Sequence, residues 1–173
     1  ENFIQSIFDT LEGFAGKTLV VGGDGRFLNR EVIQTVIRMA AANGFGRVLT
    51  GRNGLLSTPA ASHVIRKYRA YGGIILSASH NPRGPDCDFG IKYNVRNGGP
   101  APEGVTERVF AKTRSLERYL IAELGDTDLA HEGESQIGAT HLSIIDPIAD
   151  YLAVMREIFD FEALRALFAG GFQ

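Results

Sequence analysis

The chain has a single cysteine, Cys87, so no internal disulfide can staple it. A reducing, cytoplasmic setting is the expectation. It has no strong charge of either sign: 18 Lys and Arg stand against 20 Asp and Glu, a net charge of -2. That excludes a chain-wide basic field for nucleic acid. It has no apolar run near the ~18 residues a membrane span requires. Its start, Glu1-Asn2-Phe3-Ile4, lacks the basic stretch of a secretory signal peptide, and none is expected. There is no Gly-x-Ser-x-Gly nucleophile elbow. Gly16-Lys17-Thr18 fails as a phosphate-binding P-loop, because Leu11 stands where its leading glycine belongs and a strand is expected to follow. His63, His131 and His141 show no metal-ligand spacing.

What is present suits one globular core. The chain is 44% hydrophobic over 173 residues, enough for a single domain. Ile4, Ile7, Phe8 and Leu11 recur at helical spacing and predict a helix over 2–11. A strand is expected over 17–21, ended by Gly22-Gly23. Asn29 is expected to cap a helix over 29–43, with Val32, Val36, Ile37 and Ala40 on one face and Gly44 as its stop. Strands follow at 48–50, 73–77 and 89–94. Between the first two, Thr58 as cap and Pro59 at the first helical position open a helix to about Arg69. Asn97-Gly98-Gly99 makes a turn, and Pro102 opens another helix. Residues 123–138 are polar and Gly-rich and read as an exposed loop. A last strand over 141–145 leads to Asp146-Pro147, a second cap-plus-Pro start, and Asp160 caps a final short helix. The fold class is α/β: a mixed, mostly parallel sheet between helices. The short link from 73–77 to 89–94 permits that pair to be antiparallel.

The stretch from Gly73 to Asn94 is the most informative. Ile74-Ile75-Leu76 drives into Ser77-Ala78-Ser79-His80-Asn81-Pro82, and a loop broken by Gly84, Pro85 and Gly90 returns to Ile91-Lys92-Tyr93. Functional groups are often displayed at such strand ends. Ser79 alone is a poor nucleophile, because its hydroxyl titrates far above neutrality. From the residues alone, the knot is also readable as a turn held by side-chain-to-backbone hydrogen bonds. Lys92 returns on the next strand, able to stabilise charge or, with a lowered pKa, to move a proton; from the residues alone, an exposed strand lysine is an equal reading. His80 could orient the serine or simply structure the loop. Arg26, after the Gly22-Gly23-Asp24-Gly25 turn, could reach a phosphate or pair with Asp24. Asp86 and Asp88, flanking Cys87, could be read as paired carboxylates, but a solvated loop face is the preferred reading.

This stretch resembles the phosphoserine loop of the phosphohexomutase superfamily, whose signature is Thr/Ser-Ala-Ser-His-Asn-Pro. The resemblance extends through Val20-Val21-Gly22-Gly23-Asp24-Gly25-Arg26-Phe27, Ala40-Ala41-Ala42-Asn43-Gly44, Leu56-Ser57-Thr58-Pro59-Ala60, Gly90-Ile91-Lys92, Asn97-Gly98-Gly99-Pro100-Ala101-Pro102 and Ile158-Phe159-Asp160-Phe161. These look like the first domain of alpha-phosphoglucomutases; residues 122–139 match poorly. Three departures stand out. Ser77 replaces the usual Thr, and Arg83 and Cys87 stand where relatives have small residues. The family's Thr-Ser-Gly-x-Arg segment would precede the first residue.

The resemblance implies interconversion of glucose 1-phosphate and glucose 6-phosphate. Ser79 would rest as phosphoserine, donate its phosphoryl group to a hexose phosphate, and recover it from a bound glucose 1,6-bisphosphate. Ser79, Lys92 and His80 would be catalytic, and Ser79, His80, Asn81, Lys92 and Arg26 would contact substrate. A magnesium ion (Mg2+) would bind the Ser79 phosphate, with its other ligands in an Asp-x-Asp-x-Asp loop outside this chain. Residues 1–145 would be the phosphoserine-bearing α/β domain, and 146–173 a C-terminal helical segment of it leading to a missing second domain. The expected partners are a hexose phosphate and the remaining domains of a parent chain, with no nucleic acid and no membrane. A fragment alone would be inactive. Another hexose-phosphate mutase, for mannose or glucosamine phosphates, is one alternative, and a catalytically silent structural or binding relative is the other.

Overall fold

Alternate residues of a buried strand face opposite ways, and β1 (Thr18–Gly23) shows what that does to this chain. Leu19 and Val21 join a cluster with Ile4, Ile7 and Phe8 of α1 (Asn2–Thr10) and Ile33, Val36 and Ile37 of α2 (Asn29–Ala42). Val20 faces the other way, against Ala60, Ala61, Val64 and Ile65 of α3 (Thr58–Lys67). The sheet is thus sandwiched between helices. The computed structural model describes residues 1–171.

The remaining elements are β2 (Arg47–Leu55), β3 (Gly72–Leu76), β4 (Ile91–Val95), α4 (Glu103–Thr113), β5 (Gly133–Ile137), β6 (Thr140–Ile145), α5 (Ala149–Ile158) and α6 (Phe161–Ala169). The sheet order is β4-β3-β1-β2-β6-β5. β3, β1, β2 and β6 run parallel, and the two edge strands run antiparallel to their neighbours. The expected α/β class, with a mixed and mostly parallel sheet, is the one observed.

α1 is short for an isolated helix and depends on its buried face. Ile4, Ile7 and Phe8 are each about 1% exposed, and burying such side chains stabilises by roughly 1.5–3 kcal/mol apiece. Phe8 also meets Phe45 at a centroid distance of 5.1 Å. Phe8→Ala is expected to cost this layer about 3–5 kcal/mol.

Several local expectations need correction. Asn29 does not cap α2. Leu28 occupies the cap position with φ 66°, and Asn29 is buried, its Nδ2 3.5 Å from the Gly54 carbonyl. Ser57 rather than Thr58 caps α3, its hydroxyl accepting from the Ala60 N–H at 3.3 Å. α3 ends at Lys67, and Arg69 then turns the chain with φ 51°. β2 runs on past Thr50 through a register shift, so that Leu55 pairs with Gly23. Residues 123–138 are not one exposed loop. Leu129 is buried, and β5 pairs with β6 through a two-residue turn whose Gly138 has φ 60°. Asp160 does cap α6, accepting from Glu162 and Ala163 N–H groups. The Asp146 carboxylate accepts from Ile148 and Ala149 N–H groups ahead of α5.

α5 and α6 carry no buried residues. α5 leans on α3 through Tyr151 and a Lys67–Asp150 ion pair. Ile148 and Phe159 stay more than half exposed.

Candidate active site

The chain leaves β1 toward β2 on one side and leaves β3 toward β4 on the other. The C-terminal ends of β1 and β3 therefore form a switch point, where open α/β sheets place their ligands. Gly23 pairs with Leu76 there, and the Asp24 N–H donates to the Leu76 carbonyl at 3.1 Å. Residues 24–28 and the 77–90 loop are thereby set side by side.

The loop is closed at its base by the Ser77 N–H donating to the Gly90 carbonyl at 2.9 Å. At its tip, the Asn81 N–H donates to the Ala78 carbonyl at 3.1 Å, and Ser79 sits inside that turn with φ 59°. This is the left-handed region, uncommon for a residue with a side chain. The Ser77 hydroxyl accepts the Ser79 N–H at 3.1 Å. The exchange of Thr for Ser at position 77 thus keeps the hydroxyl on which the turn depends. Ser79 and His80 are exposed at the tip, and His80 has no hydrogen-bond or ion-pair partner among the described residues.

Arg26 lies beneath the loop with its side chain 1% exposed. Its Nε donates to Asp24 Oδ1 at 3.0 Å and its Nη2 to Asp24 Oδ2 at 2.8 Å. Nη1 donates to the Asp88 carbonyl at 2.6 Å, and Nη2 also approaches the Ser79 carbonyl at 3.4 Å. Of the two roles that the sequence allowed Arg26, the geometry displays the ion pair with Asp24. Burial opposes the charged form of Asp24. Hydrogen bonds from Arg26 and the Ser77 hydroxyl outweigh that, and hold its carboxyl below the usual aspartate value. Arg26 is in turn pushed above its ordinary value, chiefly by the bond to Asp24.

Asn81 turns inward along the loop, its Nδ2 donating to Asp88 Oδ2 at 2.6 Å. Asp88 is exposed, as its reading as a solvated loop face expects, and it also staples the loop through both carboxylate and carbonyl. Lys92 lies on β4 in register with Ile75. It is exposed, with no hydrogen-bond or ion-pair partner among the described residues. Beside the loop, a pocket of about 360 Å³ is lined by Gly23, Asp24, Ser57, Arg83, Pro147 and Tyr151, among others.

No cluster of three or more His, Cys, Asp or Glu side chains among the described residues could hold a metal ion. Asp24 and Asp88 are already engaged within the loop's own framework. Among the described residues, the side chains therefore do not form a magnesium cage by themselves. Among the described residues, no helix is long and apolar enough to cross a membrane.

Comparison with known proteins agrees with this architecture. Residues 1–120 match the family described as phosphoglucomutase/phosphomannomutase, alpha/beta/alpha domain I. The chain is 61% identical to a phosphoglucomutase of Rhizobium radiobacter over 100% of its own length and 32% of that protein's. It is 49% identical to human phosphoglucomutase-1, covering 98% of this chain and 32% of the relative. Among solved structures, parafusin (phosphoglucomutase) from Paramecium, in its open form, superposes with a TM-score of 0.90 at 41% identity. That match covers 97% of this chain and 33% of parafusin. The chain spans about a third of the length of the relatives it matches. It belongs to the phosphoglucomutase/phosphomannomutase family, matching that family's alpha/beta/alpha domain I.

Proposed function

We propose that this chain is the phosphoryl-carrying domain of a phosphoglucomutase, and that Ser79 is the carrier. The observation that carries the reading is the presentation of Ser79. Its side chain is exposed on a left-handed turn at the sheet's switch point, above an ion pair whose buried arginine orders the loop. A group so placed is reachable by a sugar hydroxyl, while its backbone is held.

The reaction then runs as two displacements at phosphorus. A hexose monophosphate hydroxyl attacks the phosphoryl group on Ser79. The bond from phosphorus to the Ser79 oxygen breaks as the new bond to the sugar oxygen forms. The hydroxyl's proton leaves to a base, and the freed Ser79 oxygen takes up a proton. The product is glucose 1,6-bisphosphate, and the reverse displacement from its other phosphate restores phosphoserine. Lys92 supplies positive charge, or a proton, beside the group in flight. His80 and Asn81 line the approach, Asn81 chiefly by holding Asp88. Arg26 acts from beneath the loop. A magnesium ion bound at the Ser79 phosphate would spread the developing charge, with its other ligands on further domains. Those domains would also complete the sugar site. An unpaired, exposed Cys87 suits a reducing, cytoplasmic compartment.

The 173-residue chain by itself is expected to fold without turning over, because positioning and charge neutralisation depend on groups it does not encode. The test is a coupled assay for glucose 6-phosphate from glucose 1-phosphate, with bisphosphate and magnesium, on the full-length protein. Ser79→Ala is expected to abolish turnover with the fold intact. Near wild-type turnover in that variant would overturn the reading.

A further inference from the structure

Arg26 is more heavily bonded than an ion pair requires. A pair between the buried Arg26 and the part-buried Asp24 alone would be weak reason to bury a guanidinium, since apolar residues of like volume often serve stability as well. The remaining contacts of the pair go to the loop. Arg26 Nη1 holds the Asp88 carbonyl at 2.6 Å, and Nη2 reaches the Ser79 carbonyl at 3.4 Å. On the other side, the Ser77 hydroxyl, one of the groups that lower the Asp24 carboxyl, accepts the Ser79 N–H at 3.1 Å. The Ser79 carbonyl is thus approached by Arg26 itself, and its N–H is held by a hydroxyl that acts on Asp24.

We propose that Arg26 and Asp24 form a positioning clamp that locks Ser79 in its left-handed conformation, so that its hydroxyl faces the substrate side. The inference rests on the reading of Ser79 as phosphoryl carrier. A left-handed non-glycine residue is strained and persists where its surroundings over-determine it; the clamp supplies that determination. The planar fork is essential, because one guanidinium must serve a carboxylate and two carbonyls at once. An ammonium in its place meets Asp24 but cannot span the loop.

The test uses the full-length protein with Arg26→Lys, Arg26→Gly and Ser79→Ala. Arg26→Lys is expected to lower the urea midpoint only modestly and to keep KM while kcat falls about 100-fold, the scale of a misplaced reacting group and far beyond the loss of fold. Millimolar guanidinium chloride is expected to restore part of the turnover of Arg26→Gly, and sodium chloride at equal concentration is not. With Ser79→Ala inactive, wild-type kcat in Arg26→Lys would overturn the clamp alone. So would a loss that tracks the loss of fold and that guanidinium leaves unrescued. Wild-type turnover in Ser79→Ala would remove the carrier reading and the clamp together.

Discussion

Ser77 and Gly90 approach so closely that no side chain fits between them. The Ser77 N–H donates to the Gly90 carbonyl at 2.9 Å, and a Cβ on Gly90 would stand 2.3 Å from the Ser77 carbonyl oxygen. The two legs of the loop are pinned at this point, one strand end against the other. The glycine is required by contact, since what a side chain would strike is backbone and cannot swing away.

Gly90→Ala is therefore expected to spread the base of the loop. The overpacking should cost about 1–3 kcal/mol, read as a lower urea midpoint in the 173-residue chain. Backbone amide shifts should move at Ser77, Ser79 and Gly90 more than in α2. An unchanged midpoint with unmoved loop amides would contradict this.

Ser79 provides a second stability test. Its φ of 59° suits glycine and strains any other residue. Ser79→Gly should therefore be more stable than Ser79→Ala by about 1 kcal/mol, net of the extra freedom glycine gains when unfolded. Urea unfolding of the two variants checks it. Equal midpoints would mean that the turn relaxes when the hydroxyl is removed.

Asp24 sets an acid limit. Its carboxyl titrates below the ordinary 3.8 in the folded chain. The unfolded chain therefore binds this proton first as pH falls. The stability Asp24 contributes is full above 3.8 and is lost as pH drops through the lower folded value. Wild type should exceed Asp24→Asn in urea midpoint by a constant margin above that window, and the two should converge below it. A margin that widens on acidification has the wrong sign for this account.

Lys92 is exposed on β4. If it stabilises the transferring group, Lys92→Ala in the full-length protein should lower kcat about 100-fold, and a loss below about threefold would return it to an ordinary strand lysine.

Much of this was legible in the sequence, for reasons that vary by element. β1 and β3 are short apolar runs ended by breakers, so the strands and the display of Ser79 at a strand end could be read from Val20-Val21-Gly22 and Leu76-Ser77-Ala78. β5 could not. Gly133-Glu134-Ser135-Gln136-Ile137 is an edge strand with four of its five residues exposed, and polar edge strands carry no apolar period. The cap of α3 was displaced by one because Ser57 and Thr58 can each cap, and only backbone geometry chooses. Asn29 resembles a cap in the sequence because nothing local shows that its neighbour Leu28 adopts a left-handed turn, which no propensity scale favours. At the site, Ser79, His80 and Lys92 stood out by residue type and position. Asp88 did not, since its carbonyl meets Arg26 from a distant part of the chain and its carboxylate meets Asn81 only once the loop folds back. The Ser77-x-Ser79 spacing was the one local signal, as serine hydroxyls commonly bond a backbone N–H two residues on.

The central claim is that Ser79 carries the phosphoryl group, and the most direct measurement is to locate that group. The full-length protein is charged with glucose 1,6-bisphosphate labelled in its phosphates, digested, and its peptides are mapped by mass spectrometry. The account predicts label on Ser79, removed by a chase of unlabelled glucose 6-phosphate that itself becomes bisphosphate. An active protein with no label at Ser79, or with chaseable label on another residue, would contradict it.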